Sequence, residues 1–327
     1  MEDTINFKEV LEEYFAYRDA CGKKEYPKKY IRLFYTRSCE MFPGEETLTQ
    51  SMIYEWWKKR PTENESSHYN RICSVLPLLK FVADRYKPKS LFILPLPKWV
   101  PRNYRPHYFT EEELGSFFNA CDNIKIKYNT LENKLNKIEL PVLFRLLMSA
   151  GIRTTEGRLL SARNIDLERG IIHIKEKETK GYVEHTVVLH DSMRDLLVRY
   201  DHAVEKLMPE RKIFFPNDKD KSHPNNWLSH HFRKLWRESN DDDGVVVPYD
   251  LRHYFIIENI NSWTNCGYEI HDKMVALSKY VGHSNLSATY GYYEYVPRLG
   301  KTIEEFTGDF YNELVPEIPD LSEDEET

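Results

Sequence analysis

Several features that would place a chain in a specialised class are missing here. The five cysteines (Cys21, Cys39, Cys73, Cys121 and Cys266) lie far apart, with no CxxC pair. Neither a zinc site nor a disulfide framework is indicated, and a reduced intracellular compartment fits. No apolar run reaches the roughly 18–20 residues that a membrane span needs. The best candidate, 91–100, is broken by two prolines and a lysine. The start, MEDTINFKEV, is acidic and has no apolar core, which speaks against a secretory leader. Internal repeats and a phosphate-binding P-loop are also absent from the sequence.

What is present suits two globular domains. The chain has 327 residues, 41% hydrophobic and 13% aromatic, enough to bury real cores. The net charge of −6 conceals a division. Residues 301–327 hold one lysine against ten acids, a net −9, so residues 1–300 carry +3. Within them, 21–105 hold 17 Lys/Arg against 8 Asp/Glu. A basic region near the start and an acidic end suggest a polyanion partner. The ordinary alternative is a solvated helical surface with a disordered tail.

Apolar periodicity predicts helices over 7–20, from about residue 27, over 48–59 and over 66–86. Pro77 should kink or split the last of these. Residues 1–88 thus read as a helical domain. The segment 89–109 carries four prolines and reads as an extended linker. Thr110 and Glu113 form a capping box that opens a second domain, 110–299. Helices are predicted over 111–121 and 138–149, then a β-hairpin over 171–189. Further helices are predicted over 192–207, 224–237, 249–262, 270–280, 285–294 and 302–312. The fold class expected is mainly α with a small antiparallel β-sheet.

Four patterns in the second domain carry possible chemistry. In SAGIRTTEGRLL, Arg153 stands just ahead of a short helix with Glu156 in its first turn. In TKGYVEHTVVL, Lys180 lies at the hairpin turn. In VVVPYDLRHYF, Tyr249 and Arg252 share a helix face. In YVGHSNLSATYGYYEYV, Gly282 ends a helix, His283 follows, and tyrosines stand at 290, 292, 293 and 295. Each has an ordinary reading as a surface arginine, a solvated lysine, a buried ion pair or packing tyrosines. Asp241, Asp242 and Asp243 read as a solvated turn rather than a metal site. His230 and His231 are helix neighbours that point to different faces, with His223 upstream; a helix near DNA with Arg233, Lys234 and Arg237, or equally a partly solvated basic helix, fits better than zinc.

Taken in this order and spacing, the four patterns resemble the tyrosine recombinase (phage integrase) family over roughly 110–296. The region before them resembles that family's core-binding domain. The resemblance implies a DNA-breaking and rejoining enzyme that works through a 3′-phosphotyrosine, with neither metal nor nucleotide cofactor. It places Arg153 and Arg252 as the active-site arginines, Lys180 as the hairpin lysine and His283 as the late histidine. Tyr292 would be the nucleophile, with Tyr293 its nearest rival and Tyr290 and Tyr295 further alternatives. Glu156 would support the first arginine, and Arg153, Arg252 and His283 would supply the positive surroundings the phenol needs. The sequence departs from the family at Tyr249, where HxxR usually has histidine. The partner implied is double-stranded DNA with inverted half-sites. The protein would be a monomer in solution and a homotetramer on DNA, with accessory bending proteins possible.

DNA would lie in a two-domain clamp, gripped by Lys23, Lys24, Lys28, Lys29, Arg32, Lys58, Lys59, Arg60, Arg102 and Arg105. The C-terminal segment 300–327 would supply a helix for contact with a neighbouring protomer, then an acidic tail. A cytoplasmic, nucleoid-associated protein for a mobile element is expected. The competing readings are a type IB topoisomerase-like enzyme and an inactive DNA-binding protein on the same fold.

Overall fold

The computed structural model describes residues 5–22, 26–100, 104–175, 184–240, 245–263 and 269–297. The chain divides into two units, Met1–Tyr104 and Arg105–Thr327. The first holds helices α1 (Phe7–Ala20), α2 (Tyr26–Met41), α3 (Gln50–Trp57) and α4 (Glu65–Tyr86). Asn6, Thr49 and Asn64 cap α1, α3 and α4 by accepting backbone N–H groups, the role short polar side chains play at helix starts. Phe7, Phe34, Trp56, Ile72 and Val75 form the centre of this unit's core. Full burial of one such side chain contributes about 1.5–3 kcal/mol.

Pro77 neither splits α4 nor ends it: the helix runs unbroken through it. The reason lies on its flanks, where Val75, Leu78, Leu79 and Val82 are all buried. That packing offsets the lost backbone hydrogen bond. The start of the proline-rich segment is held to the first unit. Trp57 Nε1 donates to the Pro95 carbonyl (3.0 Å) and the Phe92 N–H donates to Gln50 Oε1 (2.9 Å).

The second unit begins with α5 (Glu111–Asp122), opened by the capping box of Thr110 and Glu113. It continues with α6 (Leu131–Ala150) and α7 (Thr154–Leu159). Strands β1 (Ile165–Asp166), β2 (Ile171–Ile174) and β3 (His185–Val188) form one antiparallel sheet in sequence order. Ile172 faces Val187 across the sheet and both are buried. Then come α8 (Asp191–Glu205), α9 (Trp227–Ser239), α10 (Tyr249–Trp263), α11 (Ile270–Tyr280) and α12 (Ser287–Tyr290). A 3₁₀ turn, Gly291–Tyr295, follows. The architecture is therefore mainly helical with a small antiparallel sheet.

Two sequence expectations need correction. Helix α6 starts at Leu131, not near 138, with Thr130 as its cap. Its early buried face includes Asn136 and Glu139, so the polar residues hid the apolar stripe. The helix expected over 285–294 is a single α turn followed by the 3₁₀ turn. The segment expected over 302–312 lies outside the described residues.

Aromatic rings knit α5, α6 and α9 together: Phe117 meets Phe144, Phe232 and Trp236 at 4.9–5.9 Å between centroids. Helix α10 packs on α6, which brings the end of α6 to the YDLRH turn. Among the described residues, no helix is long and apolar enough to cross a membrane.

Candidate active site

Two glycine corners build the frame. Gly151 caps α6 at φ +60°, and Gly282 follows α11 at φ +66°. Both lie in the left-handed region that glycine enters without steric cost. Neither has room for a side chain. A Cβ at Gly151 would meet the Phe255 ring at 2.2 Å, and one at Gly282 would meet His185 Nδ1 at 2.6 Å.

These corners present helix-end carbonyls to the two arginines. Arg252 donates from one terminal nitrogen to the Gly151 carbonyl (2.6 Å) and from the other to the Val281 carbonyl (2.7 Å). A terminal nitrogen of Arg153 donates to the Gly282 carbonyl. Carbonyls at a helix C-terminus lack intrahelical partners and carry partial negative charge, which suits a guanidinium. Arg252 is fully buried, and its Nε–H has no partner among the described residues. A buried, charged donor without an acceptor is rare enough to point toward an anionic ligand. Burial lowers the Arg252 pKa from its ordinary value, yet a guanidinium stays protonated.

Glu156 fixes Arg153. One carboxylate oxygen accepts the Arg153 backbone N–H (2.7 Å) and the other accepts a side-chain N–H (2.5 Å). Burial pushes the Glu156 carboxyl up. The Arg153 charge and those hydrogen bonds outweigh it and hold the pKa below the usual range.

Tyr292 lies on the 3₁₀ turn and is 9% exposed, at the edge of the cluster made by Ile256, Ile257, Met274 and Leu277. Its Oη is 2.7 Å from His253 Nδ1. The ring of His283 stacks on it at 6.1 Å with planes 9° apart, while His283 Nδ1 pairs with Thr289 Oγ1 at 2.7 Å. Burial and the neighbouring Tyr249 raise the phenol's pKa well above its ordinary value; Arg252 and Arg153 pull the other way. The rival tyrosines are placed differently. Tyr290 Oη pairs with His271, and Tyr293 stacks on Tyr290.

His283 feels the same surroundings as Tyr292. Burial first, then the charges of Arg252 and Arg153, push its pKa down to about 4. The charges that lower the Tyr292 pKa in the structure are those of Arg252 and Arg153. Tyr249 sits with its ring edge-on to His253 at 4.8 Å, and the Arg252 guanidinium lies 5.9 Å from its centroid. Sequence reasoning quoted His253 within the YDLRH pattern but gave it no part. The available cue was its spacing, one helical turn after Tyr249 and so on the same face.

A sequence profile of the phage integrase family matches residues 107–297, more than half of the chain. This chain belongs to the phage integrase family. It is 27% identical over 187 residues to a putative integrase/recombinase y4rE of Sinorhizobium fredii, covering 56% of this chain and 58% of that one. It is 25% identical over 288 residues to the tyrosine recombinase XerA of Thermococcus onnurineus, covering 86% and 89%. The Tn1549 transposon integrase, solved in complex with circular intermediate DNA, matches with a TM-score of 0.58 at 16% identity, covering 88% and 95%. That likeness shows a shared fold.

The remaining integrase candidates are spread more widely. Lys180, Lys23, Lys24, Arg102 and Asp241 to Asp243 lie outside the described residues. Lys29, Arg32, Lys58, Lys59 and Arg105 are exposed, and Arg60 is half-buried over the Trp56 ring. Lys28 is not available at the surface. It is 7% exposed and pairs with Asp19 beside the Phe15 ring, so it is withdrawn as a contact residue. On α9, His230, Arg233, Lys234 and Arg237 form an exposed stripe opposite the buried Trp227, Phe232 and Trp236. The His230 and His231 rings stand 82° apart. His223 faces inward, stacked on Trp227 and paired with Glu139 at 2.8 Å.

Proposed function

We propose that this integrase-family protein is a site-specific DNA recombinase that cleaves and rejoins strands through a 3′-phosphotyrosine on Tyr292. The observation that carries this reading is the gathering of Tyr292, Arg153 and Arg252 from three separated stretches of chain, with the Tyr292 phenol under the charge of both arginines. Attack by an oxyanion on a phosphodiester builds negative charge on the non-bridging oxygens. Two preorganised guanidiniums meet that charge with planar donors. Losing one such donor costs about 10²–10³ in rate. The covalent link conserves the energy of the broken bond, so the exchange runs both ways. Lys180 protonates the departing 5′-oxygen in this reading.

The partner is double-stranded DNA with inverted half-sites, held by a tetramer. The exposed α9 stripe and the cations of the first unit meet phosphates, which sets affinity more than sequence choice. The first unit acts as a core-binding domain, and the role is movement of a mobile element. Singly nicked duplexes drawn from the DNA flanking the protein's own gene test this. Wild type should give a covalent protein–DNA band on a denaturing gel, unchanged by EDTA. Tyr292→Phe should abolish it and Tyr293→Phe should keep it. A band that survives Tyr292→Phe defeats the assignment.

A further inference from the structure

We infer that His253 is the general base that takes the proton from Tyr292, an imidazole set one helical turn from the position where Tyr249 stands. The inference rests on the recombinase reading of Tyr292 and adds to it the fate of the phenol proton.

Geometry carries the argument. A general base must lie within hydrogen-bond reach of the proton it removes, about 2.6–3.2 Å between heavy atoms. His253 Nδ1 stands 2.7 Å from Tyr292 Oη. The His283 ring lies parallel to that of Tyr292 with centroids 6.1 Å apart, and its Nδ1 pairs with Thr289. Its relation to Tyr292 is stacking.

The imidazole is held in place. His253 belongs to α10, whose Arg252 is bonded to both glycine corners, and Tyr249 packs edge-on against it. Among the described residues, the titratable and charged groups that face it include Arg252 and Tyr249 on its own helix, Tyr292 on the 3₁₀ turn and His283 after α11. Burial first, then the Arg252 charge, push its pKa down to about 4. It is therefore an unprotonated acceptor at neutral pH. The resemblance leads one to expect an imidazole at 249. The two positions share a helix face, so a base at 253 approaches the same phenol.

The step balances as follows. The Tyr292 O–H bond breaks and its proton passes to His253 Nδ1. The electron pair left on Oη forms the bond to phosphorus as the bond from phosphorus to the 5′-oxygen breaks. That oxygen takes a proton from Lys180. On rejoining, the incoming 5′-hydroxyl returns a proton to Lys180, and Oη recovers its own from His253.

The test is single-turnover adduct formation on the nicked duplex flanking the gene, measured from pH 5 to 9. His253→Asn keeps an acceptor oxygen near the Nδ1 position but cannot hold the proton. Its rate at pH 7 should fall by about 10²–10⁴, the range for a lost general base. The deficit should shrink toward pH 9, where hydroxide ionises the phenol instead. Binding to the same duplex should be kept. A variant as fast as wild type, or a deficit that stays constant across pH, overturns the assignment while leaving Tyr292 as nucleophile. Should the variant fold poorly, the wild-type profile decides. A rate flat from about pH 6 to 8 supports the base; a tenfold climb per pH unit overturns it. No wild-type adduct, or one that survives Tyr292→Phe, defeats the recombinase reading and this proposal together.

Discussion

Glu156 has no exposed surface, yet it is ionised, because Arg153 shares its pocket through two hydrogen bonds. Its folded pKa lies below the ordinary carboxylate value. The stability it contributes is therefore present above the unfolded pKa of about 4.3 and is lost as pH falls through the lower folded value. Glu156→Gln should cost about 1–3 kcal/mol at pH 7. The gap from wild type should close in acid, as urea titrations at pH 7 and pH 3 would show. A gap equal at both values would mean the carboxylate charge plays no part. At this scale the sequence shows much of the site. Arg153, Glu156, Arg252 and Tyr292 stand in recognisable spacing, and the structure brings them together. It does not show which nitrogen meets the phenol. The resemblance singles out His283, and only the packed structure sets His253 Nδ1 2.7 Å from Tyr292 Oη while His283 Nδ1 pairs with Thr289.

The corners matter as much as the side chains at the scale of elements. Gly282→Ala forces a Cβ into the His185 ring at a φ that alanine resists. It should destabilise by about 1–3 kcal/mol and slow adduct formation, since the Gly282 carbonyl holds Arg153. Thermal melting and the nicked-duplex assay read the two effects. The α9 stripe gives a separate expectation. Arg233→Ala with Arg237→Ala should leave melting unchanged. If both arginines meet phosphates, the pair should lower the slope of log affinity against log salt by about 1.8. An unchanged slope would remove α9 from the DNA surface. The helices with a clean apolar stripe, such as α8 and α9, are legible in sequence. Helix α6 was legible only in part, because buried Asn136 and Glu139 satisfy Trp227 and His223 across the core. The turn at 291–295 was misread as helix because its tyrosines repeat at spacings that helical and 3₁₀ turns share.

For the whole molecule, the division into two units and the charge contrast along the chain are the governing facts. The break near 104 follows from prolines that bar helix across the linker. The last 27 residues carry −9, while Ile303, Phe306, Phe310 and Tyr311 are spaced for one helix face. Removing 300–327 should abolish tetramers on DNA and preserve binding by single protomers, as native gels at equal protein concentration would show. Tetramers that persist would assign that segment to its own protomer. The central claim concerns one atom, Tyr292 Oη, and it has a direct test. Adduct formed on the nicked duplex is digested with trypsin and nuclease, and the peptide spanning 280–298 is fragmented by mass spectrometry. The account predicts a nucleotide mass on Tyr292 alone. Its appearance on Tyr290, Tyr293 or Tyr295 would contradict the assignment of the nucleophile.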